Sequence, residues 1–191
     1  MKFIKSSLAT WATLLTAAMA AFPSINDVSP DNVVYISSES VYCMIFPKYP
    51  HMDIGASENP GNTQTLCTYP YNATLQGTIP QGFFRSVAFA KGVGITGQPY
   101  VQLTGCIVPQ LVDRLNPADS GGQYDSNGGV TLQGNPIGSQ CLGYASYVEL
   151  IEPGGPRACI RCCIDPVDCP VTLDTSGCPT VIPGNYFDCA Y

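Results

Sequence analysis

Residues 157–179 read RACIRCCIDPVDCPVTLDTSGCP and hold five of the chain's ten cysteines, two of them adjacent. Three chemistries crowd cysteines in this way: a thiolate metal site, a redox centre, and covalent staples. Cys159 and Cys162 have the spacing of half a zinc site, but the next pair, Cys169 and Cys178, lacks the tight knuckle of the other half. The same CxxC, with Arg161 inside it, fits a redox dithiol only at the head of a long helix, and Pro166 and Pro170 bar that helix. Staples remain. Neighbouring Cα atoms lie about 3.8 Å apart, closer than the ~4.4–6.8 Å that a disulfide usually spans. Cys162 and Cys163 therefore reach different partners, one within the tail and one back in the body. The prolines and the density of cysteines mark 153–191 as an irregular tail held by bridges and packed on the same domain.

The compartment follows from the other end of the chain. Lys2 and Lys5 precede an apolar run from Leu8 to Met19, and Ala18-Met19-Ala20 offers small residues for cleavage, so residues 1–20 read as a signal peptide. That run is short for a bilayer span, and no other stretch approaches the length needed. All ten cysteines lie beyond it: Cys43, Cys67, Cys106, Cys141, Cys159, Cys162, Cys163, Cys169, Cys178 and Cys189. An even number behind a secretory leader predicts five disulfides in a secreted, extracellular protein. Loss of Lys2 and Lys5 takes the formal net charge from −6 to −8. Such an acidic chain without a basic patch is not built to hold nucleic acid. Asn72-Ala73-Thr74 is an acceptor sequence for an N-linked glycan and predicts a surface turn there.

The body, residues 21–152, reads as β. Glycine and proline, 19 and 17 residues, together exceed the usual share of about 12%. They break the chain into short segments with strand alternation rather than helical spacing. Tyr100–Val108, YVQLTGCIV, puts Val101, Leu103 and Ile107 on one face and Gln102 and Thr104 on the other. Tyr144–Glu152, YASYVELIE, carries apolar residues on both faces, as a strand covered on both sides does. In FFRSVAFAK, Arg85 and Lys91 share a parity with Phe83 and Phe89, which predicts a bulge or an edge. PQLVDRL, 109–115, permits at most two helical turns. TLQG recurs at 74–77 and 131–134 without establishing a repeat. The expected fold is a single disulfide-rich all-β domain, a β-sandwich or an irregular β-barrel, ending in the cysteine-dense tail.

Candidate sites are sparse. NPADSGGQYDSNGG places Asp119, Asp125 and Asn127 among glycines, a weak calcium candidate that lacks the glutamate and flanking helices of a hand-type loop. Asp119-Ser120-Gly121-Gly122 is similar to the nucleophile segment of trypsin-like serine proteases over four residues. Ala118 and Gln123 depart from that pattern, and His51 has none of the surroundings a triad base needs. His51, Asp53 and Glu58 form a loose acid–base group in a proline-bounded loop. The fourteen acidic residues single out no pair for glycoside hydrolysis. Eleven tyrosines supply rigid rings with polar tips, suited to a half-wet strand face or to recognition of sugar or peptide. The lone tryptophan, Trp11, leaves with the leader. No cofactor is implied.

The run from VQLTGC through NPADSGGQYDSNGG, GSQCLGYASYVELIEPGGPRACIRCC and DCPVTLDTSGCPTVIPGNYFDC resembles a group of small secreted cysteine-rich proteins of fungi, over roughly residues 41–189. The resemblance implies an extracellular fungal protein and assigns no catalytic residue, cofactor or substrate. The expectation for function is a secreted binding or host/environment-interaction module with an extracellular glycan or protein partner. A secreted carbohydrate-active hydrolase and a structural cell-wall or matrix component are the alternatives. A cleft with converging carboxylates beside tyrosines would favour the hydrolase, and a tyrosine groove without paired carboxylates would favour binding.

Overall fold

The computed structural model describes residues 24, 26, 28–128 and 136–189. The leader at 1–20 and the second TLQG lie outside these residues. Strands β1 (Val33–Ile36), β2 (Tyr42–Pro47), β3 (Thr63–Cys67), β4 (Gly77–Thr78) and β8 (Gln140–Cys141) form one sheet in the order β4-β3-β2-β1-β8. Strands β5 (Phe84–Val93), β6 (Pro99–Ile107), β7 (Gly122–Asp125), β9 (Ser146–Glu152) and β10 (Arg157–Cys163) form the second, in the order β5-β6-β10-β9-β7. Two four-residue helices, α1 (Ile54–Ser57) and α2 (Cys178–Val181), complete the regular structure besides four 3-10 turns. The fold is all-β and disulfide-rich, built on two five-stranded sheets. The expected helix at 109–115 is a 3-10 turn at Pro109–Leu111.

The sheets meet through a core that takes Met44 and Phe46 from β2, Val101 and Leu103 from β6, Tyr147 and Ile151 from β9, and Ile160 from β10. Phe83 anchors one end, edge-on to Phe46 at 5.4 Å and to Phe84 at 5.3 Å between ring centroids. The parity conflict in FFRSVAFAK has two causes. Strand β5 is an edge strand, and its register against β6 shifts between Phe84 and Ser86.

The opening stretch departs most from its reading. The irregular tail was expected to begin at 153, yet Arg157–Cys163 forms β10, which pairs with β6 on one side and β9 on the other. Ala158, Ile160 and Cys162 face the core between the sheets, while Cys159 and Cys163 face a second core on the outer side. Cysteine packs as a small hydrophobe, so RACIRCC alternates like any strand buried on both faces. Counted only as staples, its cysteines hide that period.

This alternation explains the adjacent pair. Successive side chains of a strand point to opposite faces, so Cys162 bridges inward to Cys141 on β8, joining the two sheets, and Cys163 bridges outward to Cys169. Cys159 reaches Cys178 at the head of α2, Cys106 reaches Cys189, and Cys43 reaches Cys67 across the β2–β3 ladder. Residues 164–189 thus lie over the outer face of the second sheet. Val181 and Ile182 join Val148, Leu150 and the outer cysteines in the second core. Gln102 Nε2 donates to Pro183 O, and Thr104 Oγ1 donates to Asn185 O. Glu152 ties the cover to the sheet: Oε1 accepts from Cys178 N at 2.7 Å, and Oε2 from Arg157 Nε of β10 at 2.8 Å.

Candidate functional site: a tyrosine-walled groove pair

Among the described residues, the outer face of the first sheet has no such cover at the end where β3 leaves it. Tyr35, Cys43 and Cys67 form a row across β1, β2 and β3. After Cys67 the chain turns through Thr68-Tyr69-Pro70-Tyr71-Asn72, and three side chains fix that turn. Thr68 Oγ1 accepts from Tyr42 N at 3.2 Å. Gln76, itself buried, accepts at Oε1 from the backbone N–H groups of Tyr71 and Asn72, and donates from Nε2 to Pro30 O at 2.8 Å. Asn72 Oδ1 accepts from Thr74 N and Leu75 N, each at 3.2 Å. Tyr69 is nonetheless 71% exposed and Tyr71 42% exposed. Large rings in water on a hydrogen-bonded backbone are preorganised contact area, since little ordering entropy is left to lose on binding.

Two grooves meet at this turn. The smaller, about 370 Å³, is walled by Tyr35, Tyr42, Tyr69 and Tyr71 with Val41 and Leu142. The larger, about 530 Å³, runs from Tyr69 to Phe84 past Glu39, Ser40, Thr78 and Gln81. Tyr42, Thr68 and Tyr69 belong to both. Both volumes fall within the ~300–1,000 Å³ of small-molecule sites. Burial pushes the phenols of Tyr42 and Tyr71 above their ordinary range, so both stay neutral hydroxyls able to donate and accept. Among the described residues, Glu39 is the one carboxylate lining the larger groove, and the smaller has none.

Carboxylates converge instead at the β7 edge of the second sheet. Gln123 Nε2 donates to Asp174 Oδ1 at 2.7 Å, Asp125 Oδ2 at 2.9 Å and Val171 O at 3.2 Å. Glu58, just after α1, sits beside them, and burial followed by the charges of Asp174 and Asp125 pushes its carboxyl up to about 7. Burial likewise raises Asp125, against hydrogen bonds from Gln123 and Asn127 that lower it. A glutamic acid that holds its proton up to about 7 beside two other carboxyl groups is acid–base chemistry in principle. None of the three lines either groove.

The other sequence candidates have local roles. Asp119 accepts from Ile54 N at 2.8 Å and Gly121 N at 3.1 Å, and Asp125 accepts from Asn127 N at 2.7 Å, so the carboxylates of the calcium candidate cap turns with amide donors. Among the described residues no group of three or more His, Cys, Asp or Glu side chains could hold a metal ion. The glycines of Asp119-Ser120-Gly121-Gly122 serve packing: Gly121 has φ of +105°, and a Cβ there would strike Ile151 O. Asp53 Oδ1 accepts from Asn116 Nδ2, and Glu58 turns to the β7 cluster. All ten cysteines are bridged, and Cys159 and Cys162 leave β10 on opposite faces, which removes both the zinc and the redox readings.

Sequence reasoning missed three buried polar groups that organise this framework: Gln76, Gln123 and Glu149. Glu149 faces the core from β9, and its Oε2 accepts from Ile45 N of β2 at 3.1 Å. Burial holds its carboxyl well above the usual range, so it links the sheets as a neutral acid. The available signal was a glutamate at the inward parity of an apolar strand. No protein-family model, curated protein or solved structure matches the chain significantly.

Proposed function

We propose that this is a secreted, disulfide-stabilised binding module that takes an extracellular glycan in the paired grooves. The observation that carries the proposal is the exposed pair Tyr69 and Tyr71 at the meeting of the two grooves, in a turn held by Thr68 before them and by Gln76 at Tyr71 and Asn72. The apolar face of a sugar ring packs on a tyrosine ring, while the hydroxyl and amide groups of Ser40, Thr78 and Gln81 stand ready for sugar hydroxyls along the larger groove. Five disulfides suit an oxidising compartment, and no described helix is long and apolar enough to cross a membrane. The resemblance to small secreted cysteine-rich fungal proteins points the same way. A hydrolase would need an acid pair in the groove, where Glu39 stands alone.

The test is a glycan array or polysaccharide pull-down with the secreted protein, followed by calorimetric titration of the retained glycan. Tyr69→Ala should weaken binding about tenfold or more, as removal of a central aromatic anchor does, and should leave the fold intact because the ring is mostly in water. Retention of no glycan, or equal binding by the variant, would overturn the proposal.

A further inference from the structure

We infer that Asn72 carries an N-linked glycan whose first sugars lie in the smaller, tyrosine-walled groove, so that this half is filled by the protein itself and the larger groove alone is open to an outside ligand. The inference rests on the carbohydrate reading of the grooves and divides their labour. Asn72 lines neither groove but directly follows Tyr71, which walls the smaller groove and not the larger, so a sugar on Asn72 starts at the rim of the smaller one. Its Oδ1 is taken by Thr74 N and Leu75 N, whereas Nδ2 donates no hydrogen bond among the described residues. Thr74, the third residue of the acceptor sequence, is exposed. The amide nitrogen is therefore free to react while the turn that presents it is already formed.

Transfer of an oligosaccharide from a lipid-linked diphosphate donor joins sugar C1 to Nδ2. One amide proton is lost, and the lipid diphosphate departs with the bonding pair from C1. The tether then does what affinity alone would not. A short linker holds its ligand at millimolar effective concentration, enough to populate a weak sugar–tyrosine contact. Tyr71 offers that contact from a backbone held by Gln76, with the exposed ring of Tyr69 beside it.

The experiment uses the full chain secreted from a glycosylating eukaryotic host. Intact mass should show a glycan that is absent from Thr74→Ala, which destroys the acceptor sequence and keeps the Asn72 Oδ1 contacts that fix the turn. Glycosylated protein trimmed to a single N-acetylglucosamine should melt about 2–4 °C above Thr74→Ala. That difference should vanish when both forms also carry Tyr71→Ala. Chitobiose should bind Thr74→Ala at least tenfold more tightly than the glycosylated protein. An unmodified Asn72, or a glycan whose stabilisation survives Tyr71→Ala, overturns the inference. Tyr69-dependent binding in the larger groove would outlast that failure, so the two readings fail separately.

Discussion

Consider removal of the bridge between Cys106 and Cys189 by the double substitution to alanine. The two lie 83 residues apart in sequence. The unfolded chain, however, keeps its other bridges, and these shorten the path. It runs from Cys106 to Cys141, across to Cys162, back to Cys159, across to Cys178 and on to Cys189, about 50 residues in all. Loop-closure entropy for a loop of that size is worth ~4 kcal/mol at 25 °C. The native state should change little, because the last residues stay docked through Thr104 Oγ1 to Asn185 O and the Tyr186 hydroxyl to Ile182 O and Cys178 O. The loss therefore lies mainly in the unfolded ensemble, at roughly 2–4 °C of melting temperature per kcal/mol. Urea unfolding of the chain expressed from residue 21, followed by tyrosine emission, measures it, since the one tryptophan, Trp11, is then absent and cannot mask Tyr124 and Tyr147 in the core. A loss below ~1 kcal/mol, with the native spectrum retained, would refute the reasoning.

Other perturbations probe the polar framework. Folded Glu58 holds its proton up to about 7, and burial raises Glu149 in the same direction, whereas both ionise near 4.5 once unfolded. The folded state thus binds more protons between these values, so the stability these two groups contribute is fully present below pH 4.5 and is lost as pH rises through 7 and above. Glu58→Gln should flatten that decline in melting temperature; an unchanged slope would exclude Glu58 as a source. Thr65→Val should destabilise by about 2–4 kcal/mol in chemical denaturation, because the buried Thr65 hydroxyl satisfies both Val33 N and Val33 O, which valine would leave unpaired. Glu152→Ala should raise amide exchange around Cys178 by an order of magnitude or more, since it frees that N–H and releases Arg157; unchanged exchange would deny Glu152 its role as clasp.

Much of this architecture was legible in local pattern. The alternation of Val101, Leu103 and Ile107 foretold β6, and apolar residues on both faces of Tyr147–Leu150 foretold a strand covered twice. The misfit of Arg85 and Lys91 against Phe83 and Phe89 foretold a bulge or an edge, and the strand has both. Strand β10 was equally periodic, but its reading depended on treating cysteine as an apolar residue. The groove was not legible. Its tyrosines come from β1, β2 and the turn after β3, and nothing local distinguishes exposed Tyr69 from buried Tyr124.

The sequence alone determined that the chain is a β protein with an even set of cysteines, and that Cys162 and Cys163 part company. Those conclusions rest on interactions between near neighbours: side-chain alternation, proline's fixed backbone, and the short span between adjacent Cα atoms. Tertiary structure decided which cysteine meets which, that the tail covers one sheet and leaves tyrosines bare on the other, and that three acids gather at Gln123. Each of these depends on how strands are ordered across a sheet and how two sheets face one another. Such distances in space are set by long-range pairing, which no local stretch of residues records.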